Sequence, residues 1–125
     1  LNDPVRATRN GASMNGLKVR VFKSDLFADV PGRFDLIVFN PPYLRGEVQG
    51  PEDLCWAGGE DGTRLTARFL REARDRLEPR GRVLLLVSDD MDRSALNEAL
   101  SGWQAKTVGS RTLFFEELRA LELTL

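Results

Sequence analysis

The stretch FDLIVFNPPY, residues 34–43, carries an unbroken apolar segment directly into an Asn-Pro-Pro-Tyr corner. A second apolar run, VLLLV, occupies residues 83–87. Such runs, without polar alternation, are typical of strands covered on both faces, as in a parallel sheet. Between them, residues 63–77 have the apolar periodicity of a helix, which Pro79 and Gly81 are expected to end. Strand, helix and strand in this order predict an α/β domain with a mainly parallel sheet.

The flanking segments extend this prediction. Residues 5–15 predict a short helix that ends at Asn15-Gly16, and residues 17–24 predict a half-exposed strand near a sheet edge. A further helix is expected at residues 91–100, with Asp90 or Asp92 as its N-cap. Residues 103–108 and 113–125 are expected to form an antiparallel pair of strands joined by a loop at residues 109–112.

Composition excludes several kinds of site. The chain has no histidine, which removes His-based acid–base catalysis and nearly all zinc sites, so we expect no metal. Its single cysteine, Cys55, excludes an internal disulfide and indicates a reducing, cytoplasmic location. Lys and Arg total 18 against 19 Asp and Glu, so there is no overall basic field for a phosphate backbone. No apolar run reaches the ~18 residues of a membrane span.

The Asn-Pro-Pro-Tyr corner has the chemistry of an acceptor site. Ligands of open parallel sheets bind at the carboxyl ends of strands, where Asn40 is expected. Pro41 restricts Asn40 to an extended backbone, Pro42 does the same to Pro41, and the two prolines remove two N–H donors. The corner therefore presents the Asn40 side-chain oxygen and the Pro41 carbonyl as acceptors, beside Tyr43 as an aromatic wall.

Two fixed acceptors can take both hydrogens of a planar NH₂ group. They would orient its nitrogen toward an electrophilic methyl group and stabilise the positive charge that develops there, without a strong base. The alternative interpretation is a strand that simply ends in a proline-rich turn.

Nearly the whole chain resembles the Rossmann-like, S-adenosylmethionine-dependent N-methyltransferases. Within them it resembles the HemK-like release-factor glutamine methyltransferases, in the shorter archaeal and eukaryotic branch. The segments that carry the resemblance are SDLF at residues 24–27, FDLIVFNPPY at 34–43, WAGGEDG at 56–62, LEPRG at 77–81 and LFFEEL at 113–118. The resemblance implies a mostly parallel methyltransferase sheet with a C-terminal antiparallel hairpin.

The same resemblance implies roles for individual residues. Asp25 would accept a hydrogen bond from the adenine amino group of S-adenosylmethionine, and the Leu26 N–H would meet the ring. Asp25 is equally well interpreted as a turn or cap aspartate. Asn40 would lie at the cofactor and, with the Pro41 carbonyl, hold the substrate amide.

The remaining implied site residues follow the strand. Pro42 and Tyr43 would complete the catalytic corner, with Tyr43 packed beside the amide. Trp56 would lie near the substrate entrance, although its residue type favours the alternative interpretation of a buried anchor for its own loop.

The chain also departs from the family. The glycine-rich cofactor loop and the acidic ribose ligand are not found, and residues 1–16 resemble the helix that follows the family's second strand. The resemblance therefore implies that the first two strands are absent. Residues 1–125 would be the C-terminal part of a single methyltransferase domain, inactive when alone.

The implied function is methylation of a glutamine side chain, at N5, in a translation release factor. One alternative is a nucleic-acid amino methyltransferase acting on adenine N6 or guanine N2, although the basic groove usual for such enzymes is not evident. Another is a non-catalytic binding module. The resemblance also implies a small zinc-binding activator subunit paired with an edge strand at residues 18–23, where Lys18, Arg20 and Lys23 would otherwise only protect the edge.

Overall fold

The computed structural model describes residues 4–41 and 62–125 and divides the chain into two units, Leu1–Gly32 and Arg33–Leu125. The first unit contains helix α1, Pro4–Met14, which is followed by a turn with Gly16 in the left-handed region (φ 67°). The second unit contains, in order, β1 (Phe34–Phe39), α2 (Thr63–Ala73), a 3₁₀ turn (Arg74–Arg76), β2 (Leu77–Ser88), α3 (Arg93–Ala99), β3 (Gln104–Leu113) and β4 (Glu116–Thr124).

The four strands form one sheet in the order β1-β2-β4-β3. β1 runs parallel to β2, with Phe39 opposite Leu85. β2 pairs antiparallel with β4, and β4 pairs antiparallel with β3. The predicted α/β sheet with a C-terminal antiparallel hairpin is therefore confirmed. Within the described residues the sheet is mixed and not mostly parallel, since β1–β2 is parallel and the other two pairs are antiparallel.

The core lies on one face of this sheet. Alternate residues of β2 are fully buried and lie opposite alternate residues of β4, with Val83 paired to Leu123 and Leu85 to Leu121. Helix α2 covers β1, because the Phe69 ring stacks on Phe39 at a centroid distance of 4.0 Å. The helices contribute the buried residues Phe69, Leu70, Ala73 and Leu96. Burial of such side chains stabilises the fold by about 1.5–3 kcal/mol each.

β1 differs from its expected burial. Both faces were expected to be covered, yet Leu36 is 44% and Val38 is 67% exposed, whereas Ile37 is 9% exposed. Because side chains of a strand alternate between faces, α2 covers only the face that carries Ile37 and Phe39. The side chains on the opposite face, Leu36 and Val38, are exposed.

The strand predicted at residues 17–24 is wrong, because this segment has no strand structure. A strand needs a partner for its backbone groups, and here the Val21 carbonyl accepts from Arg9 Nη2 at 2.8 Å instead. The Arg20 guanidinium lies over the Phe22 ring at 5.2 Å. The edge strand expected at residues 18–23 for an activator subunit is therefore not formed, and that partner stays a prediction.

The C-terminal turn also lies elsewhere than expected. The predicted loop at residues 109–112 is part of β3, and the chain turns at Phe114 and Phe115, between the paired residues Leu113 and Glu116. Gly109 follows a bulge, since Thr107 pairs with Leu121 and Gly109 with Ala120, which leaves Val108 unpaired. Glycine in a strand often marks such a bulge rather than a turn.

The ends of the helices lie closer to their predicted positions than the C-terminal turn does. α2 ends at Ala73 instead of residue 77, and the LEPRG segment forms an irregular start of β2, where Leu77 pairs with Phe34 and Arg82 with Leu36. Asp92 caps α3 by accepting from the Ala95 N–H at 2.9 Å, which selects it over Asp90. In the described ranges, residues 4–41 and 62–125, the helices are too short and too polar to cross a membrane.

Candidate active site

Asn40 lies at the carboxyl end of β1, at the sheet edge where the parallel strand β2 also ends. Asn40 is exposed, whereas the Pro41 ring after it is less than 2% exposed. Within the part of the chain that the structure describes, no hydrogen bond engages the Asn40 side chain. The exposed Asn40 is thus followed directly by a buried proline.

The position of Asn40 follows from the sequence of the strand. Ile37 is buried and Phe39 stacks on Phe69 of α2, so the end of β1 is fixed to the helix that covers it. Pro41 then restricts the backbone of Asn40 to the extended region. Together these contacts limit the freedom of the Asn40 side chain to its own two rotatable bonds.

The rest of the predicted corner cannot be placed. Pro42, Tyr43 and Trp56 lie outside the described residues, as does Cys55. Of the four residues predicted for the catalytic corner, the structure therefore places Asn40 and Pro41.

Asp25 and Leu26 belong to the first unit and form a tight turn. The Ala28 N–H donates to the Asp25 carbonyl at 3.1 Å, and the Asp29 N–H donates to Ser24 Oγ at 2.8 Å. Leu26 has a positive φ of 52°, and Asp25 is exposed. The turn interpretation of Asp25 therefore describes its backbone.

The donors and acceptors of this turn fit the edge of an adenine ring. A carboxylate can accept from the exocyclic amino group, and a backbone N–H can donate to a ring nitrogen. Among residues 4–41 and 62–125, no hydrogen bond of the Leu26 N–H is formed. The residues present therefore suit the adenine end of S-adenosylmethionine.

The sequence did not predict the groove between α2 and α3. This groove has a volume of about 520 Å³, and its charged and aromatic lining consists of Arg64, Arg71, Arg74, Glu98 and Trp103. Arg74 donates to the Ser101 carbonyl at 2.9 Å and lies over the Trp103 ring at 5.4 Å. The stripe of arginines along α2 is the sequence signal for it. Neither Asn40 nor Pro41 is among the described residues that line this groove.

A family model, the methyltransferase small domain, matches residues 2–111 of the chain. Individual relatives agree with it. A candidate protein N5-glutamine methyltransferase of Methanocaldococcus jannaschii is 30% identical over 123 residues, covering 94% of this chain and 62% of the relative. The release factor glutamine methyltransferase of Deinococcus radiodurans is 37% identical over 108 residues, covering 78% of this chain and 38% of the relative.

A relative with a different substrate is the ribosomal RNA small subunit methyltransferase C of Chromohalobacter salexigens. It is 36% identical over 86 residues, covering 67% of this chain and 22% of the relative. The chain thus spans less than two thirds of the length of each of these relatives.

The fold agrees with the sequence relationships. The crystal structure of a methyltransferase from Pyrococcus furiosus aligns with a TM-score of 0.68 at 24% identity, covering 95% of this chain and 56% of the other. The expected methyltransferase resemblance is confirmed by the family model, which matches most of the sequence. The chain belongs to the methyltransferase small domain family.

Proposed function

We propose that the protein containing this chain transfers a methyl group from S-adenosylmethionine to the side-chain amide nitrogen of a glutamine in a protein substrate. The observation that carries the proposal is the exposed Asn40 amide at the carboxyl end of β1, followed at once by the buried Pro41. This arrangement provides two acceptors, the Asn40 side-chain oxygen and the Pro41 carbonyl, on a rigid corner.

S-adenosylmethionine supplies an electrophilic methyl group on a positively charged sulfur. In this chain, the Asp25 carboxylate would accept from the adenine amino group and the Leu26 N–H would donate to the ring. Both groups lie in the turn held by Ser24 and Ala28. The cofactor assignment is supported by the family and by the chemistry of this turn.

The acceptors act on the nucleophile. An amide nitrogen attacks poorly because its lone pair is delocalised into its own carbonyl. With one hydrogen held by Asn40 and the other by Pro41, the nitrogen is oriented toward the methyl group, and the charge that develops on it is stabilised. S-adenosylmethionine, when bound, would supply the methyl carbon to this nitrogen and leave as its thioether, and the substrate amide would lose one N–H proton to water.

A protein glutamine is the substrate best supported by the relatives, because two of them carry glutamine methylation in their descriptions. The chain has no excess of basic residues, with 18 Lys and Arg against 19 Asp and Glu. A second candidate is an exocyclic amine of ribosomal RNA, favoured by the ribosomal RNA methyltransferase relative. A planar exocyclic amine would need the same pair of acceptors.

Methyl transfer from radiolabelled S-adenosylmethionine tests the proposal, with release factor, ribosomal protein and ribosomal RNA offered separately to the protein that contains the chain. We expect label in a protein, with mass spectrometry assigning the methyl group to one glutamine. Asn40→Ala should lower kcat by about 10²–10³-fold, with a much smaller change in the Kd of S-adenosylmethionine measured by calorimetry.

A matched control is Asn97→Ala, which removes an exposed asparagine from α3 and should leave kcat unchanged. Label in RNA alone would select the second candidate. Binding of S-adenosylmethionine without any transfer would indicate a non-catalytic module. Full activity of the Asn40→Ala variant would show that Asn40 does not hold the nucleophile.

A further inference from the structure

The β3–β4 turn lies at the same edge of the sheet as Asn40. β4 runs antiparallel to β2, with Leu118 opposite Ser88, the last residue of β2. The residues before Leu118 therefore extend beyond the carboxyl end of β2, which runs parallel to β1. Phe114 and Phe115 form the tip of this extension.

The two phenylalanines at the tip are fully exposed, Phe114 at 98% and Phe115 at 102% of their maximal surface. Single exposed apolar residues are ordinary on protein surfaces, but two adjacent aromatic rings at a protruding turn are a typical binding feature. Tyr, Trp and Phe at protein interfaces often account for much of the binding energy.

The backbone of the tip is unfavourable for the first of these two residues. Phe114 has φ 53° and is the first of the two turn residues between Leu113 and Glu116. Two-residue hairpins place Gly, Asn or Asp at positions with positive φ, and a bulky residue is strained there. The sequence thus keeps an aromatic ring at Phe114, where a glycine would give a more stable turn, which indicates a role other than folding.

The tip is held firmly to the end of β2. The Ser88 hydroxyl, which is 1% exposed, donates a hydrogen bond to the Glu116 carboxylate and accepts one from the Asp90 N–H at 3.1 Å. A buried side chain thus connects the first residue of β4 to the turn that follows β2. Such a fixed projection loses little conformational freedom when a partner binds.

The surroundings of the tip are acidic. Segments 88–93 and 111–119 contain five carboxylates and three arginines, namely Asp89, Asp90, Asp92, Glu116 and Glu117 against Arg93, Arg111 and Arg119. Of these, Glu117 is exposed, and no hydrogen bond or ion pair of its carboxylate is formed in the described part of the chain. This charge repels a phosphate backbone and attracts a cationic protein surface.

We propose that the hairpin tip, residues 113–117, docks the protein substrate through an apolar surface bordered by lysine or arginine. The inference rests on the proposed function. It adds a second place, away from the reacting nitrogen, at which the enzyme contacts its substrate. From the strand spacing and the pairing of β1, β2 and β4, the tip lies about 20 Å from Asn40. That distance is within the footprint of a folded protein and beyond the reach of a short peptide.

The test compares two substrates of the same enzyme. One is the whole protein that the wild type methylates, and the other is a five-residue peptide with the same glutamine at its centre, whose flanks extend about 7 Å each way. The double variant Phe114→Ser/Phe115→Ser should raise the KM for the whole protein about ten-fold or more. Its KM for the peptide and for S-adenosylmethionine should stay within two-fold of the wild type.

Three further variants make the result specific. Phe114→Gly should raise the protein KM while leaving the melting temperature unchanged or higher, because glycine relieves the positive φ. Glu117→Lys should also raise the protein KM and weaken its dependence on salt. Met14→Ser removes another highly exposed apolar side chain, 86% exposed on α1, and should change none of these values.

The outcomes separate this inference from the proposed function. If the wild type methylates no protein, the proposed function fails. If it methylates a protein and the double variant keeps the wild-type KM, the docking proposal alone is overturned. A lower melting temperature of the double variant would also overturn the docking proposal, because the tip would then pack against the protein itself. Loss of a concentration-dependent dimer in the double variant would overturn it too, because the tip would then contact a second copy of the chain. A parallel rise in KM for an RNA substrate would also overturn it.

Discussion

Asp89 and Glu117 bond each other in both directions. The Asp89 N–H donates to the Glu117 carbonyl at 3.1 Å, and the Glu117 N–H donates to Asp89 Oδ1 at 3.1 Å. Asp89 follows the last residue of β2, and Glu117 precedes the last β2–β4 pair, Ser88 with Leu118. The two hydrogen bonds of this pair therefore extend the β2–β4 pairing by one residue beyond Ser88 and Leu118. They stabilise the place where the hairpin tip leaves the sheet.

Removing the Asp89 carboxylate should destabilise this connection between β2 and β4. Asp89→Ala leaves the Glu117 N–H without its acceptor, and we expect the free energy of unfolding to fall by about 0.5–1.5 kcal/mol. Asp89→Asn keeps an oxygen at the same position and should stay close to the wild type. Urea denaturation of the two variants measures the difference, and equal losses in both would assign the effect to charge instead of the hydrogen bond.

Gly81 and Gly109 should respond oppositely to substitution by alanine. A Cβ at Gly81 would lie 2.9 Å from the Glu78 carbonyl oxygen and 3.0 Å from that of Phe34, and neither backbone group can move freely. Gly81→Ala should therefore cost about 1–3 kcal/mol of stability. At Gly109 a Cβ would meet nothing within 4 Å, so Gly109→Ala should be neutral or slightly stabilising.

Thermal or chemical denaturation of these two glycine variants gives a direct comparison within one sheet. Both positions are in strands, so the comparison removes strand propensity as an explanation. A stable Gly81→Ala variant would show that the irregular start of β2 can rearrange around an added methyl group.

Trp103 carries a buried indole N–H without a hydrogen-bond partner among the described residues. An unsatisfied buried donor costs about 1–3 kcal/mol, so Trp103→Phe should change stability by less than about 1 kcal/mol, since the lost area and the removed donor offset each other. Trp103→Ala should cost about 3–5 kcal/mol. Denaturation midpoints check this, and a large loss with phenylalanine would indicate that the indole N–H is satisfied in solution.

Gly109 and Phe114 show where sequence reasoning fails and why. Gly-Ser-Arg-Thr has better turn chemistry than Phe-Phe, so the turn was expected at residues 109–112. The pairing of Leu121 and Leu123 with the buried face of β2 fixes the register of β4, and continuing that register puts the turn at residues 114–115. Long-range burial decides the register, and local propensity does not.

The strand before Asn40 was predictable because an unbroken apolar run and two prolines lie within ten residues, although only one face of that strand is buried. The segment at residues 17–24 was not, because its alternation describes a strand only if a partner strand is present. Leu17 and Val19 are 60% and 56% exposed, so the alternating pattern buries nothing here. The groove at Arg74 and Trp103 was missed because it depends on how α2 and α3 pack, and helical periodicity does not contain that information.

We expect Pro41 to contribute to the reaction rate by fixing the backbone of Asn40. Pro41→Ala keeps the carbonyl acceptor but frees the backbone of Asn40 and leaves a smaller side chain at a position that is less than 2% exposed. We expect kcat to fall about ten-fold, which is less than for Asn40→Ala, because both acceptors remain but are less well oriented. Steady-state kinetics with saturating S-adenosylmethionine, alongside circular dichroism, measures the change. A loss as large as that of Asn40→Ala in a folded variant would mean that the proline ring itself contacts the substrate or cofactor, and no loss would mean that the buried strand alone fixes Asn40.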